Sequence, residues 1–124
     1  MTGQRILTWV AHIVAIAVGV LFVKEGIQKL MGDANALAPF TDFSWPIWFA
    51  YTIGVIEVAG AALLIFPKTR IASAVLLAAV MIGAAATNIA NGNADYIWLN
   101  ITLFVALLFL VGQRQETLRN APTG

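Results

Sequence analysis

Four long apolar stretches, separated by one long and two short polar breaks, take up most of a 124-residue chain. Ile6 to Val23 is interrupted only by Thr8 and His12. Ile47 to Phe66 carries one charge, Glu57. Ile71 to Ala90 carries none, and Tyr96 to Gly112 is rich in Leu and Phe. Each approaches the ~20 residues a helix needs to cross ~30 Å of hydrocarbon. Lipid cannot hydrogen-bond a bare backbone, which leaves helices or a closed barrel, and the alternation of a barrel strand is absent. The expected fold is therefore all-α: an integral membrane, antiparallel four-helix bundle, with the lipid bilayer as its first partner. Helices are expected at about 5–30, 46–66, 70–91 and 96–113 of a single membrane domain spanning residues 1–124. A soluble domain carries about 25% charged residues, whereas this chain has 10% charged and 60% hydrophobic residues.

A net charge of +1 supplies no basic face for nucleic acid. The absence of cysteine removes disulfides, thiolate metal sites and thiol redox chemistry, and a single histidine argues against a metal site. The first apolar run is too long for a signal peptide and no small-x-small site follows it, so it reads as a retained helix continuing to about Leu30. Residues 32–45 read as one long loop, with Ser44 expected to cap the second span and Pro46 in its first turn. Pro67-Lys68-Thr69-Arg70 reads as a tight turn between antiparallel neighbours. Asn91-Gly92-Asn93-Ala94-Asp95 reads as another, with Gly92 ending the third span and Asp95 capping the fourth. Arg5, Lys68, Arg70, Arg114 and Arg119 fall on one side, against Lys24 and Lys29 on the other. The positive-inside rule then expects both termini in the cytoplasm and the long loop outside. Trp9 suits the inner interface; Trp45, Trp48, Tyr96 and Trp98 suit the outer one.

Polar groups inside spans are costly, about 2.5–3.5 kcal/mol for a charge at a helix centre on insertion scales, so each requires a reason. On the first span His12, Gly19, Phe22, Gly26 and Lys29 share one stripe. Glu25 is one turn before Lys29 and positioned to pair with it. Lys24 points the other way, towards headgroups. Glu57 shares its face with Ala50, Gly54, Gly60, Ala61 and Leu64, small residues that mark helix contacts, so it is expected to face the bundle. Rise per residue sets Glu57 roughly 13 Å and His12 roughly 9 Å above the inner boundary, near enough to pair. Lys29 falls roughly 25 Å beyond His12, so contact with Glu57 would need tilt or a register shift. Glu25, Gln28, Lys29, Tyr51, Thr52, Thr87, Asn88, Asn91 and Asn100 gather near the outer surface. If they converge they line an outward vestibule with Glu57 and His12 deeper. The plainer alternative for the asparagines is interhelical glue.

Gly19-Val20-Leu21-Phe22 followed by Gly26-Ile27-Gln28-Lys29-Leu30 resembles the G-x-x-F…G-x-x-K-L run of the DoxX family of small four-helix membrane proteins. Gly54-Val55-Ile56-Glu57-Val58-Ala59-Gly60, with Leu63-Leu64, Pro67 and Arg70, is similar to its G-x-x-E segment and basic turn. Leu76 through Met81 to Ala84 is similar to its third-helix pattern. The likeness runs in order over residues 15–90, and the fourth span fits in position.

That resemblance implies a four-helix bundle in a bacterial or archaeal cytoplasmic (inner) membrane, with Gly26, Lys29 and Glu57 matching the family pattern. It implies an accessory subunit of a membrane-associated oxidoreductase or oxidative-stress complex, with other membrane or redox subunits, or a second copy, as partners. The chain has no evident haem, flavin or iron–sulfur ligand set, so it is not expected to be catalytic on its own. The expected site comprises Glu57, Lys29, His12, Glu25, Asn88 and Asn100, holding a quinone- or lipid-like amphipath or a partner protein. Two other readings stand beside it. One is a small proton-coupled transporter of the multidrug-resistance type, whose key carboxylate however lies on helix 1. The other is an assembly protein whose polar residues only lock helices together.

Overall fold

The computed structural model describes residues 2–92, 95 and 97–120. Their regular structure is helical: α1 (Thr2–Leu30), α2 (Ala34–Asp42), α3 (Ile47–Ile65), a 3-10 turn (Pro67–Thr69), α4 (Arg70–Ala90) and α5 (Ile97–Arg119). Helices α1, α3, α4 and α5 are long and apolar enough to cross a membrane. They form a four-helix bundle in which α1 packs most extensively on α3 and α4 on α5, while α3–α4 and α1–α5 contacts close the ring. Asn93, Ala94 and Tyr96, assigned above to the outer turn and interface, lie outside the described residues.

The bundle is apolar inside and out. Its core holds Ala11, Ala15, Val18, Phe22, Ala61, Leu64, Leu77, Met81, Leu103, Leu107 and Leu110. Ile13, Val20, Val55, Val75, Ile82, Ile101, Val105 and Leu108 face outward. Water would not tolerate that belt of aliphatic side chains, but acyl chains solvate it. On α3, Ala50, Gly54, Glu57, Gly60, Ala61 and Leu64 form the buried face, the stripe expected from the sequence.

The α1–α3 contact depends on glycine. A Cβ on Gly26 would stand 2.6 Å from the Gly54 carbonyl oxygen and from a Val58 methyl. A Cβ on Gly54 would meet the Gly26 carbonyl oxygen at 3.0 Å. Farther along, Gly19 faces Ala61. Moving seven residues along α1 therefore corresponds to moving seven back along α3, and this pairing fixes the relative height of every residue on the two helices.

The segment between α1 and α3 departs from the expected loop. The Asp33 carboxylate accepts hydrogen bonds from the N–H groups of Asn35 (2.8 Å) and Ala36 (3.2 Å), and this cap starts α2, which buries Leu37. Asp33 also donates its own N–H to the Gln28 carbonyl as the chain turns through Gly32 at φ +76°, closing the end of α1. Ser44 does not cap α3. It stands at φ +61°, where its N–H and that of Trp45 donate to Thr41 and Phe40 carbonyls. Ser44 thus ends α2 in a left-handed turn, and Pro46 precedes the first turn of α3 with no side-chain cap. Trp45 packs on both Phe43 and Phe49, and Phe40 meets Phe49 edge-on. These rings join α2 to the start of α3, so α2 lies across one end of the bundle. Gly92, at φ +74°, ends α4 as expected.

Gly26→Ala drives a methyl into backbone rather than into a yielding side chain, and is expected to destabilise the bundle by about 1–3 kcal/mol. Gly83, whose added Cβ would meet nothing within 4 Å, is the control: Gly83→Ala is expected to be neutral or slightly stabilising. Thermal unfolding of both variants in detergent checks the contrast, and equal melting temperatures would refute the close-contact account.

Candidate functional site

Beneath α2 the four spans surround a partly open cavity of about 370 Å³, within the size range of small-molecule sites. Its walls are mostly apolar, with Phe22 from α1, Phe40 from α2, Phe49 from α3, Met81 from α4 and Leu103 from α5. Glu25, Lys29, Glu57, Asn88 and Asn100 line it as well, with Asn35, Asp42 and Thr87 around them.

Lys29 Nζ lies 2.8 Å from Glu57 Oε1, and the two residues are only 9% and 2% exposed. The α1–α3 register explains how they meet. Glu57 lies level with residue 23 of α1, so the two Cα atoms differ in height by about 9 Å. Side chains on a helix lean towards its N-terminus. In this antiparallel pair Lys29 leans towards Glu57 and Glu57 towards Lys29, and their combined reach spans the gap. The backbone contact at Gly26 and Gly54 brings the two stems together, since the Lys29 Cβ lies only 3.1 Å from where a Gly54 Cβ would sit.

Two expectations are thereby corrected. Glu25 does not pair with Lys29; it is half-buried in the cavity wall. His12 does not approach Glu57 and does not line the cavity. The same register puts His12 about 16 Å from the Glu57 level, beside the α3–α4 turn. Heights counted from the ends of the apolar runs do not give this offset, because the glycine contact sets it.

His12 has a different partner. Arg70, expected in the basic turn between the second and third spans, is 2% exposed. Its Nε donates to the Leu64 carbonyl and its Nη2 to the Ile65 carbonyl, each at 2.9 Å. Both terminal nitrogens lie 3.3 Å from His12 Nδ1. A guanidinium can only donate, so Nδ1 accepts and the imidazole carries its proton on Nε2. The fork satisfies carbonyls left open at the C-terminus of α3 and places positive charge at the negative end of the helix dipole. This is a structural clamp at the end of the bundle opposite α2.

Across the cavity from the ion pair, Asn88 Nδ2 donates to Asn100 Oδ1 at 2.8 Å, joining α4 to α5. Asn100 Nδ2 lies 3.7 Å from the Met81 sulfur. Of the other residues expected in the vestibule, Thr87 lines it, Asn91 donates to the Pro39 carbonyl of α2, and Gln28 is half-buried outside it. Tyr51 and Thr52 are exposed, and the Thr52 hydroxyl donates back to the Trp48 carbonyl. The contribution of α2 to the roof was missed by sequence reasoning. The signal available for it was Asp33 at a capping position ahead of Leu37 and Phe40. Among the described residues no group of three or more His, Asp or Glu side chains is placed to hold a metal.

Comparison with known proteins agrees with this architecture. A model of the DoxX-like family matches residues 13–111, and the chain belongs to that family. CatD of Bacillus subtilis (strain 168), named provisionally as an oxidoreductase, is 29% identical over 98 residues, covering 74% of this chain and 73% of CatD. No solved structure shows significant similarity to the chain.

Removing one member of a buried ion pair strands the other and costs about 3–5 kcal/mol, whereas an apolar replacement of both is often near neutral. Lys29→Met is therefore expected to lower the melting temperature in detergent strongly. Lys29→Met combined with Glu57→Leu is expected to recover most of that loss, which a thermal double-mutant cycle will read.

Proposed function

We propose that this DoxX-like protein is an accessory subunit of a membrane-associated oxidoreductase or oxidative-stress complex, and that its cavity binds the ring-shaped head of a quinone-class amphipath. The observation that carries the reading is the Lys29–Glu57 ion pair in the wall of a mostly apolar, small-molecule-sized cavity beneath α2. A pair serving only to hold helices together has no need of a cavity beside it. Here Phe22, Phe49 and Met81 provide faces for a flat ring, while Lys29, Asn88 and Asn100 provide polar groups to orient it. The provisional oxidoreductase name of CatD supports a redox setting. The transporter reading is weaker, because a carboxylate that must load and release protons is here engaged by Lys29.

Placing the α2 end outside and both termini in the cytoplasm follows from five basic residues against two, and suits a ligand entering from the outer leaflet or the space beyond it. Because the chain has no cysteine, single-cysteine labelling in intact cells tests the topology directly. Asn35→Cys is expected to react with an impermeant maleimide and Lys68→Cys to stay unlabelled until the membrane is opened.

Ala84 lines the cavity, and Ala84→Phe is expected to fill it. Calorimetry in nanodiscs with a short-chain benzoquinone and its quinol is expected to show binding to the native protein, with affinity falling at least about tenfold in Ala84→Phe. Native protein that binds neither form, or a filled variant that binds both unchanged, would remove this reading.

A further inference from the structure

We infer that the head group selected by this cavity presents O–H donors to it, so that the site prefers the reduced, quinol form of a ring over the acceptor-only quinone. The inference rests on the proposed ring site and specifies which member of the ligand class it takes.

The argument is a balance of donors and acceptors. A carboxylate offers about four lone-pair sites. Among the described residues the Glu57 carboxylate has one polar contact, with Lys29. Asn88 donates its amide to Asn100, while its own Oδ1 is buried with no hydrogen-bond partner. Glu57 and Asn88 are 2% and 6% exposed, and both belong to the cavity wall. The amide chain runs from Asn88 to Asn100 to the Met81 sulfur, so its donors point away from the open acceptor at its head. Turning both amides over would set the Asn100 oxygen against the sulfur lone pairs, which repel it. The assigned orientation is the favourable one.

A further cation is not what these acceptors require. Lys29 already supplies the cation that Glu57 needs. Glu25, half-buried, and Asp42, exposed, stay within reach of water. The buried part of the wall is richer in acceptors than in donors, and a buried acceptor left open costs about 1–3 kcal/mol. Lys29 retains N–H groups beyond the one aimed at Glu57. A quinone carbonyl and a quinol hydroxyl both accept from them, so Lys29 does not discriminate. Glu57 and Asn88 do, because only a hydroxyl can donate to them. A site built to be filled by donors rejects the analogue that lacks them.

The test is anaerobic calorimetry of the protein in nanodiscs, titrated with a short-chain benzoquinol, the matching benzoquinone and an alkylammonium of similar length. The quinol is expected to bind at least about tenfold more tightly than the quinone. Asn88→Leu and Glu57→Gln are each expected to lower quinol affinity more than quinone affinity, so that the quinol-to-quinone ratio falls, and tryptophan fluorescence melts verify that both remain folded. Should one variant fail to fold, the other carries the comparison, and the native quinol-to-quinone ratio decides independently of either. Equal or tighter binding of the quinone would overturn donor selection and leave the ring site standing. Tightest binding by the ammonium would overturn it in favour of a cation site. Binding of neither ring would remove both the inference and the reading beneath it.

Discussion

The contact between Gly26 and Gly54 sets the geometry on which the rest of this protein depends. Two helices that meet backbone to backbone have one register, since a shift by a turn would put a side chain where only hydrogen fits. That register brings Lys29 and Glu57 within 2.8 Å although their Cα atoms lie at different heights. In a low-dielectric interior neither charge is tolerable alone. Close packing and ion pairing therefore support each other: the glycines bring the stems together, and the pair penalises their separation.

The two ends of the bundle do different work. At the end carrying the α3–α4 turn, Arg70 directs its donors to Leu64, Ile65 and His12, which leaves the guanidinium well satisfied and the helix end closed. At the α2 end, polar groups remain incompletely matched, with an open amide oxygen on Asn88 and spare acceptor capacity on Glu57. Satisfied buried polar groups rigidify a fold, whereas unsatisfied ones beside a cavity call for something to fill them. This asymmetry favours the α2 end for the proposed site, whereas His12, so conspicuous in the sequence, faces Arg70 at the other end.

Helix α2 illustrates where local chemistry outweighs composition. The segment looks like a loop because it carries Pro39, two aspartates and a glycine at its start. Asp33 nevertheless caps it, Leu37 anchors it, and Ser44 closes it in a left-handed turn. The aromatic rings of Phe40, Trp45 and Phe49 then join it to α3. A nine-residue helix is marginal in isolation, so its order comes from these contacts and not from propensity, and a reading of propensity alone passes over it.

The amino-acid order by itself determined four membrane spans, the buried face of α3 and the inward turn of Glu57. Each follows from the 3.6-residue period and from the refusal of hydrocarbon to solvate a charge or a bare peptide group. The family blocks around Gly26, Lys29 and Glu57 were legible for the same reason: small residues and paired charges leave local patterns. Only the tertiary structure decided which charge meets which. Rise per residue gives heights along one helix, but the offset between two helices is set by where their surfaces fit, and that depends on atoms far apart in the chain. For that reason Lys29 took Glu57, His12 took Arg70, and the roof of the cavity came from a segment whose helicity its neighbours impose.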